Sequence, residues 1–172
     1  MQNSTMLGID IGGTGMKGAI IDMNTGQLLT ERTRIPTPQP ATPSAMADTF
    51  QKLIAEIGWT EGLIGAGFPA IVNNGVAHSA SNIHKDWLGT DIEKTLSDAC
   101  GQTVKVTNDA DAAGVAEMKF GTGKGKDGVV MLVTLGTGIG SALFINGALV
   151  PNSELGHIYL KGQSIIAEKY GS

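Results

Sequence analysis

Two carboxylates stand at points where the chain changes direction. Asp109 belongs to Asn108-Asp109-Ala110-Asp111, after the apolar run Val104-Lys105-Val106-Thr107 and before a helical pattern. The passage from strand to helix is a usual place for ligand groups in α/β sheets. A carboxylate there can take the proton of a hydroxyl whose oxygen attacks phosphorus, a general-base contribution of roughly 10²–10⁴ in rate. The same Asn108-Asp109 pair can equally do no more than cap the helix that follows. Both can hold at once, one side chain capping and the other capturing a ligand. Asp10 ends a first apolar run and precedes Gly12-Gly13-Thr14-Gly15. A carboxylate in that position could hold a hydrated Mg²⁺ beside a phosphate.

The stretch Asp10-Ile11-Gly12-Gly13-Thr14-Gly15-Met16-Lys17-Gly18 leads into Ala19-Ile20-Ile21-Asp22 and reads as strand, glycine turn, returning antiparallel strand. Glycines there allow positive φ and keep side chains clear of the backbone N–H groups. Such a turn can aim several donors at one anion. Gly13 to Gly18 also matches G-x-G-x-x-G, but the dinucleotide motif needs a helix after it. Here Asn24-Thr25-Gly26 arrives too soon for a helix of ordinary length, about 11 residues, and Ile20-Ile21 favours a strand. Nothing supplies the G-x-x-x-x-G-K-[ST] of a P-loop. An ordinary hairpin is the plain alternative. A second turn of the same kind, Gly136-Thr137-Gly138, lies between the apolar runs 129–135 and 139–145.

Glu154-Leu155-Gly156-His157 is a further polar cluster. A carboxylate and an imidazole beside a glycine can hold neighbouring hydroxyls, and such sites strongly reject analogues lacking them. His157 alone can also be a structural histidine, the reading given to His78 and His84. Zinc needs several Cys or His at short spacing, and Cys100 with His157 does not provide it. Lys17, Lys124 and Lys126 are the basic residues nearest the glycine turns, and lysine meets phosphate as a point charge. Lys124 and Lys126 equally suit a solvated loop.

These groups need a scaffold. The 172 residues suit one domain or parts of two. A hydrophobic fraction of 41% supports a packed core, and the 25 glycines gather at turns. A net charge of -4 argues against a general nucleic-acid surface. The single Cys100 cannot form an internal disulfide and fits a reducing cytoplasm. No signal pattern and no run of ~20 apolar residues occurs, so neither export nor a membrane span is expected.

Residues 6–11, 16–23 and 27–35 read as three strands. The proline-rich connector 36–43 is extended. Ser44 can cap a helix carrying Met46, Phe50, Leu53, Ile54 and Ile57 at helical spacing. Ile64 to Phe68 is a strand stopped by Pro69, and 70–90 is loop with small strands. Asp91 to Cys100 is a helix ending at Gly101, Val104 to Thr107 a strand, and a helix runs through Ala112 to Lys119. Then strand, glycine turn and strand recur, followed by an Asn146-Gly147 hairpin, a strand from Ala148, an extended stretch 157–160 and a helical start at Gln163. The second unit echoes the first in architecture. Two such lobes would place the glycine turns on opposite walls of a cleft that grips a phosphate chain from both ends. The second lobe lacks the elements that would cover its sheet, so the chain reads as a fragment.

With these residues assembled, the sequence resembles the ROK sugar kinases of the hexokinase/actin-like ATPase superfamily. The motifs are Asp10 to Gly18, Leu135 to Ala142, Asn108 to Gly114 and Glu154 to His157. The stretches Thr37 to Pro43 and Asn82 to Thr90 resemble the branch that uses inorganic polyphosphate. The resemblance implies an α/β, actin-like ATPase (ribonuclease H-like) fold. Residues 1–109 would form one complete lobe, and 110–172 a linking helix and the start of a second. It implies transfer of a phosphoryl group from polyphosphate, with ATP as a second candidate donor, to the 6-hydroxyl of glucose, with Asp109 as base. Asn82, Asn108, Glu154, His157 and Glu168 become sugar contacts. Asp10 would act on Mg²⁺ through water. Gly12, Gly13, Thr14, Gly15, Lys17, Gly136, Thr137 and Gly138 would hold the donor. The family's usual cysteine cluster is missing, so its zinc is not expected. Family members are commonly cytoplasmic dimers and run well beyond Ser172, so the 172-residue chain alone is expected to be nearly inactive. The alternatives are an ATP-dependent glucokinase or glucomannokinase and a sugar-binding protein without catalysis. A repressor of the family would carry a helix-turn-helix before Asp10, where only a short segment stands.

Overall fold

The computed structural model describes residues 5–136, 138–159 and 166–167. The chain divides into two compact units, Met1–Asp109 and Ala110–Ser172. The first is built on a mixed five-stranded sheet. Its strands are β1 (Thr5–Ile11), β2 (Gly15–Asp22), β3 (Thr33–Pro36), β4 (Ile64–Phe68) and, after the short hairpin β5 (Val72–Asn73) and β6 (Val76–Ala77), β7 (Val104–Asn108). Their order is β3-β2-β1-β4-β7. The β1–β2 and β2–β3 pairs are antiparallel, whereas β1, β4 and β7 run parallel.

Strand alternation decides which face is covered. Leu7, Ile9 and Ile11 of β1, Met16 of β2, and Ile64, Ala66 and Phe68 of β4 are buried. They form one cluster with Met46, Phe50 and Leu53 of helix α1 (Pro43–Ile57) and with Ile92 and Leu96 of helix α2 (Ile92–Cys100). The residues between them, among them Gly8, Asp10, Lys17, Gly67 and Thr107, take the opposite face. Trp87 is fully buried. Its ring meets Phe68 edge-on at 4.9 Å and its Nε1 donates to the Ala41 carbonyl at 3.0 Å.

Three local expectations are corrected. The α1 N-cap is Thr42, not Ser44. Thr42 Oγ1 accepts from Ala45 N at 3.4 Å, and Pro43 takes the first helical position, where a missing N–H costs nothing. The third strand is only Thr33–Pro36 rather than 27–35. Leu28 bridges to Ile21, but Ile20 N then donates to the Thr30 hydroxyl instead of a backbone carbonyl. The ladder resumes two residues out of step, at Thr33↔Gly18. Finally, Gly12, Gly13 and Gly15 do not adopt positive φ. At Gly15 the constraint is close approach instead, since a methyl there would lie 2.7 Å from the Arg34 guanidinium, whereas one on Gly13 would make only an ordinary contact with Asn82.

The second unit opens with helix α3 (Asp109–Phe120), which begins within the first unit's last residue. The antiparallel sheet β8 (Val129–Leu135), β9 (Ile139–Ile145), β10 (Ala148–Val150) follows. A methyl on Gly114 of α3 would lie 2.5 Å from Ala142 Cβ and 2.9 Å from the Phe144 ring. Only glycine lets this helix sit so close to β9. Asn146 and Gly147, with φ of 50° and 79°, make the tight turn into β10. Leu155–His157 form a single 3-10 turn. Ile166 bridges to Tyr159, so extended pairing replaces the expected helix at that residue. The rest of that expected helix lies outside the described residues.

Candidate functional site

In the first unit, sheet register places the sequence-predicted groups. Asp10 pairs with Lys17 on one side and with Gly67 on the other; Gly67 pairs with Thr107, and Lys17 with Arg34. Arg34, Lys17, Asp10, Gly67 and Thr107 therefore form one row across one face. Asn108 and Asp109 come directly after Thr107. At ~4.8 Å per strand, Asp10 and the end of β7 are roughly 10 Å apart. Both lie at the carboxyl ends of parallel strands, where open α/β sheets bind ligands.

The first glycine turn joins β1 to β2, on the side of Asp10 away from β7. Gly12 N donates to the Gly15 carbonyl at 3.1 Å, so that N–H closes the turn itself. The Thr37 hydroxyl donates to the Gly12 carbonyl at 2.5 Å, and Arg34 Nη2 donates to the Thr14 carbonyl at 3.0 Å. With those carbonyls engaged, the exposed Gly13 and Thr14 keep N–H groups that have no protein partner among the described residues. Two open donors with tied-back carbonyls suit an anion. Asn82 comes close: its carbonyl oxygen would be 3.5 Å from a methyl on Gly13. The buried Trp87 anchors the loop that carries it. Lys17 Nζ lies 3.5 Å from Asp10 Oδ2, with both side chains about half exposed. Such a pair is worth little and leaves Asp10 accessible to water.

Asn108 is buried, and its Nδ2 donates to the Ala70 carbonyl at 3.1 Å. That bond ties the end of β7 to the loop after β4. Asp109 is exposed as the first residue of α3.

The second unit gathers its own groups. Gly136 N donates to the Gly138 carbonyl at 3.0 Å across the second glycine turn. Thr137 and Glu168 lie outside the described residues. Glu154 adopts φ 39°, and its Oε2 stands 3.3 Å from His157 Nδ1, with both side chains about three-quarters buried. A methyl on Gly156 would collide with the Ile139 carbonyl oxygen, so this box abuts the start of β9, just after the turn. Ser141 Oγ accepts from Leu155 N at 3.0 Å, and Asp111 Oδ2 accepts from Asn152 N at 2.8 Å. Burial holds the Asp111 carboxyl above the usual carboxylate range, opposed by that N–H. Lys124 and Lys126 are exposed on the loop before β8, whereas the glycine turn follows its far end, ~20 Å away along the strand. They are solvated and not near the turn.

Sequence reasoning missed four residues with positioning roles: Arg34 and Thr37 on the first turn, and Asp111 and Ser141 under the Glu154–His157 box. Asp111 carried a signal, since it sits two residues after Asp109. The other three are ordinary strand or loop residues whose role depends on pairing register.

Comparison with known proteins now decides the family: the model described as "ROK family" matches residues 6–168. The chain belongs to the ROK family. It is 48% identical over 157 residues to the polyphosphate glucokinase of Mycobacterium tuberculosis, covering 91% of this chain and 59% of that protein. It is 34% identical to the glucokinase of Streptomyces coelicolor, covering 88% of this chain and 49% of that protein. Among solved structures, the inorganic polyphosphate/ATP-glucomannokinase from Arthrobacter sp. strain KM superposes with a TM-score of 0.93 at 49% identity, over 99% of this chain and 69% of that one. The ROK glucokinase from Streptomyces griseus, in complex with glucose and AMPPNP, gives 0.84 at 30% identity, over 96% and 56%. The fold is thus the actin-like ATPase fold of the ROK sugar kinases. This ROK chain spans about three-fifths of the mycobacterial relative's length.

Proposed function

We propose that this ROK chain belongs to a glucokinase that transfers a phosphoryl group from inorganic polyphosphate, and also from ATP, to the 6-hydroxyl of glucose. One observation carries the reading. Asp10, the open N–H groups of Gly13 and Thr14, and Asp109 occupy the carboxyl end of one sheet, in a chain nearly half identical to polyphosphate-using kinases. Phosphoryl transfer rests mainly on positioning and on stabilising charge. Gly13 and Thr14 would donate to donor oxygens, and Lys17 would add a positive charge. Asp109 would accept the proton of the sugar hydroxyl. Asn82, Asn108, Glu154, His157 and Glu168 would hold the other hydroxyls. Gly136, Thr137 and Gly138 would meet the donor from the second unit.

The residues present fit Mg²⁺. Asp10 is a single, solvent-accessible carboxylate beside the open turn, and Mg²⁺ keeps several waters while using one or two carboxylates plus phosphates. When bound, the ion would neutralise charge on the phosphates.

The test is a coupled glucose 6-phosphate assay of the full-length protein with polyphosphate and with ATP, alongside calorimetry with glucose. Product formation from polyphosphate is expected. Glucose binding without product from either donor would leave a sugar-binding protein, and would overturn the kinase reading. Mannose in place of glucose tests the glucomannokinase form, which the Arthrobacter structure favours.

A further inference from the structure

We propose that Arg34 is a specificity residue for a linear polyphosphate donor, holding phosphates beyond those that a nucleoside triphosphate can offer. The inference rests on the kinase reading above and concerns one side of its donor site. Arg34 lies on β3, the edge strand of the first unit's sheet, and is exposed. It shares a face with Lys17 and Asp10, in the row Asp10↔Lys17↔Arg34. Counted from Asp109, the row runs from the end of β7 past Asp10 to Lys17 and then to Arg34 at the open edge. A donor whose terminal phosphate approaches Asp109 and whose next phosphates meet Gly13 and Thr14 would direct the remainder of its chain along Lys17 and Arg34. A nucleoside triphosphate ends in a nucleoside and has no further phosphate to place there. A polyphosphate does.

The guanidinium is held rather than free to roam. Its Nη2 donates to the Thr14 carbonyl at 3.0 Å. Its head group also fills the space above Gly15, where a methyl would lie 2.7 Å from Nε and Nη2 and 2.8 Å from Cζ. Gly15 is therefore the floor on which the guanidinium rests. The Thr14 bond engages one of five N–H donors, and the planar group can offer others to a phosphate in a two-point contact that lysine cannot copy. Arg34 thus joins a positive charge to the turn whose N–H groups are open, and does so on the side away from Asp109.

The experiment measures binding to the full-length protein by calorimetry, with inorganic tripolyphosphate and with long-chain polyphosphate as probes, for the native chain, Arg34→Gln and Gly15→Ala. Circular dichroism and melting temperature check folding. The expected result is that Arg34→Gln weakens long-chain polyphosphate about tenfold, as for loss of a hydrogen bond to a charged group, and tripolyphosphate less than twofold. Its affinity for the long chain should also depend less steeply on salt. Gly15→Ala keeps the charge but evicts the guanidinium from its floor, and should reproduce the loss of long-chain preference. If the native chain binds long polyphosphate and Arg34→Gln binds it equally well, the role of Arg34 is overturned and the kinase reading stands. Equal weakening of both probes would put Arg34 on the proximal phosphates and overturn the specificity claim. Failure of the native chain to bind either probe would overturn both.

Discussion

Asp111 Oδ2 accepts a 2.8 Å hydrogen bond from the backbone N–H of Asn152, 41 residues further along the chain. The carboxylate is 1% exposed. Asn152 stands two residues before Glu154, so the bond fixes the approach to the Glu154–His157 box. Removing the acceptor takes a partner from a partly buried N–H and empties a buried site, a cost of roughly 1 kcal/mol. Asp111→Ala should lower stability by that order, read from denaturant midpoints, and weaken glucose binding through the displaced box. Asp111→Asn keeps an acceptor oxygen and should retain most of both.

The pH dependence has a definite sign. Burial raises the Asp111 pKa above the ordinary value for an aspartate. Between that value and the raised one, the folded chain binds the proton more tightly than the unfolded chain does. Stability due to Asp111 is therefore fully present below the unfolded pKa and falls as pH rises through the folded one. Asp111→Asn should remove this fall. A stability profile of Asp111→Asn that declines above pH 4 as steeply as the native one would exclude Asp111 as its source.

Gly156 and Gly136 make a matched pair. A methyl on Gly156 would overlap the Ile139 carbonyl oxygen, a backbone atom that cannot step aside, whereas one on Gly136 meets nothing within 4 Å among the described residues. Gly156→Ala should destabilise by about 1–3 kcal/mol or more, the usual range for overpacking. Gly136→Ala should stay within about 0.5 kcal/mol. Thermal melts of the two variants check the contrast. Comparable losses in both would show that the box does not abut β9 as described.

Much of this was legible in the sequence, for identifiable reasons. Periodicity marked α1 and α2, and Asp91 with Gly101 gave both ends of α2, because caps and apolar stripes are local signals. The Asn146-Gly147 turn was equally local. What escaped depends on register. Nothing near Arg34 in the chain says that it faces Lys17, because the two-residue slip after Leu28 sets that pairing. The glycines of the first turn were expected for positive φ, yet Gly15 answers to Arg34, whose place over it is set by strand register. Thr42 displaced Ser44 as cap because Pro43 claims the first helical position.

Trp87 carries the loop of Asn82 and His84 on one buried ring. It has 0% exposure, an edge-on contact with Phe68 and a hydrogen bond to the Ala41 carbonyl. Trp87→Ala should cost about 3–5 kcal/mol. Trp87→Phe keeps much of the ring but leaves the Ala41 carbonyl without its donor, and should cost about 1–3 kcal/mol. Because Asn82 rides on the same loop, the Phe variant should raise the glucose dissociation constant even where the chain remains folded. Unchanged glucose affinity in a destabilised Trp87→Phe would separate the loop's anchoring from sugar binding.

Asp109 bears the chemical weight of the proposal. It is exposed, begins α3 and follows the strand end that lies level with Asp10. Asparagine can replace it in shape and still hydrogen-bond at a helix start, so Asp109→Asn should preserve the fold and, as a cap, cost little. It cannot accept a proton at neutral pH. If Asp109 is the general base, turnover should fall by about 10² or more, with glucose affinity changed far less than turnover. A residue that only capped the helix would leave both stability and turnover near native in Asp109→Asn, because asparagine caps as well as aspartate. Measuring kcat, KM and the melting temperature of the one variant distinguishes these roles, and near-native turnover in a folded Asp109→Asn would remove the aspartate from the chemistry.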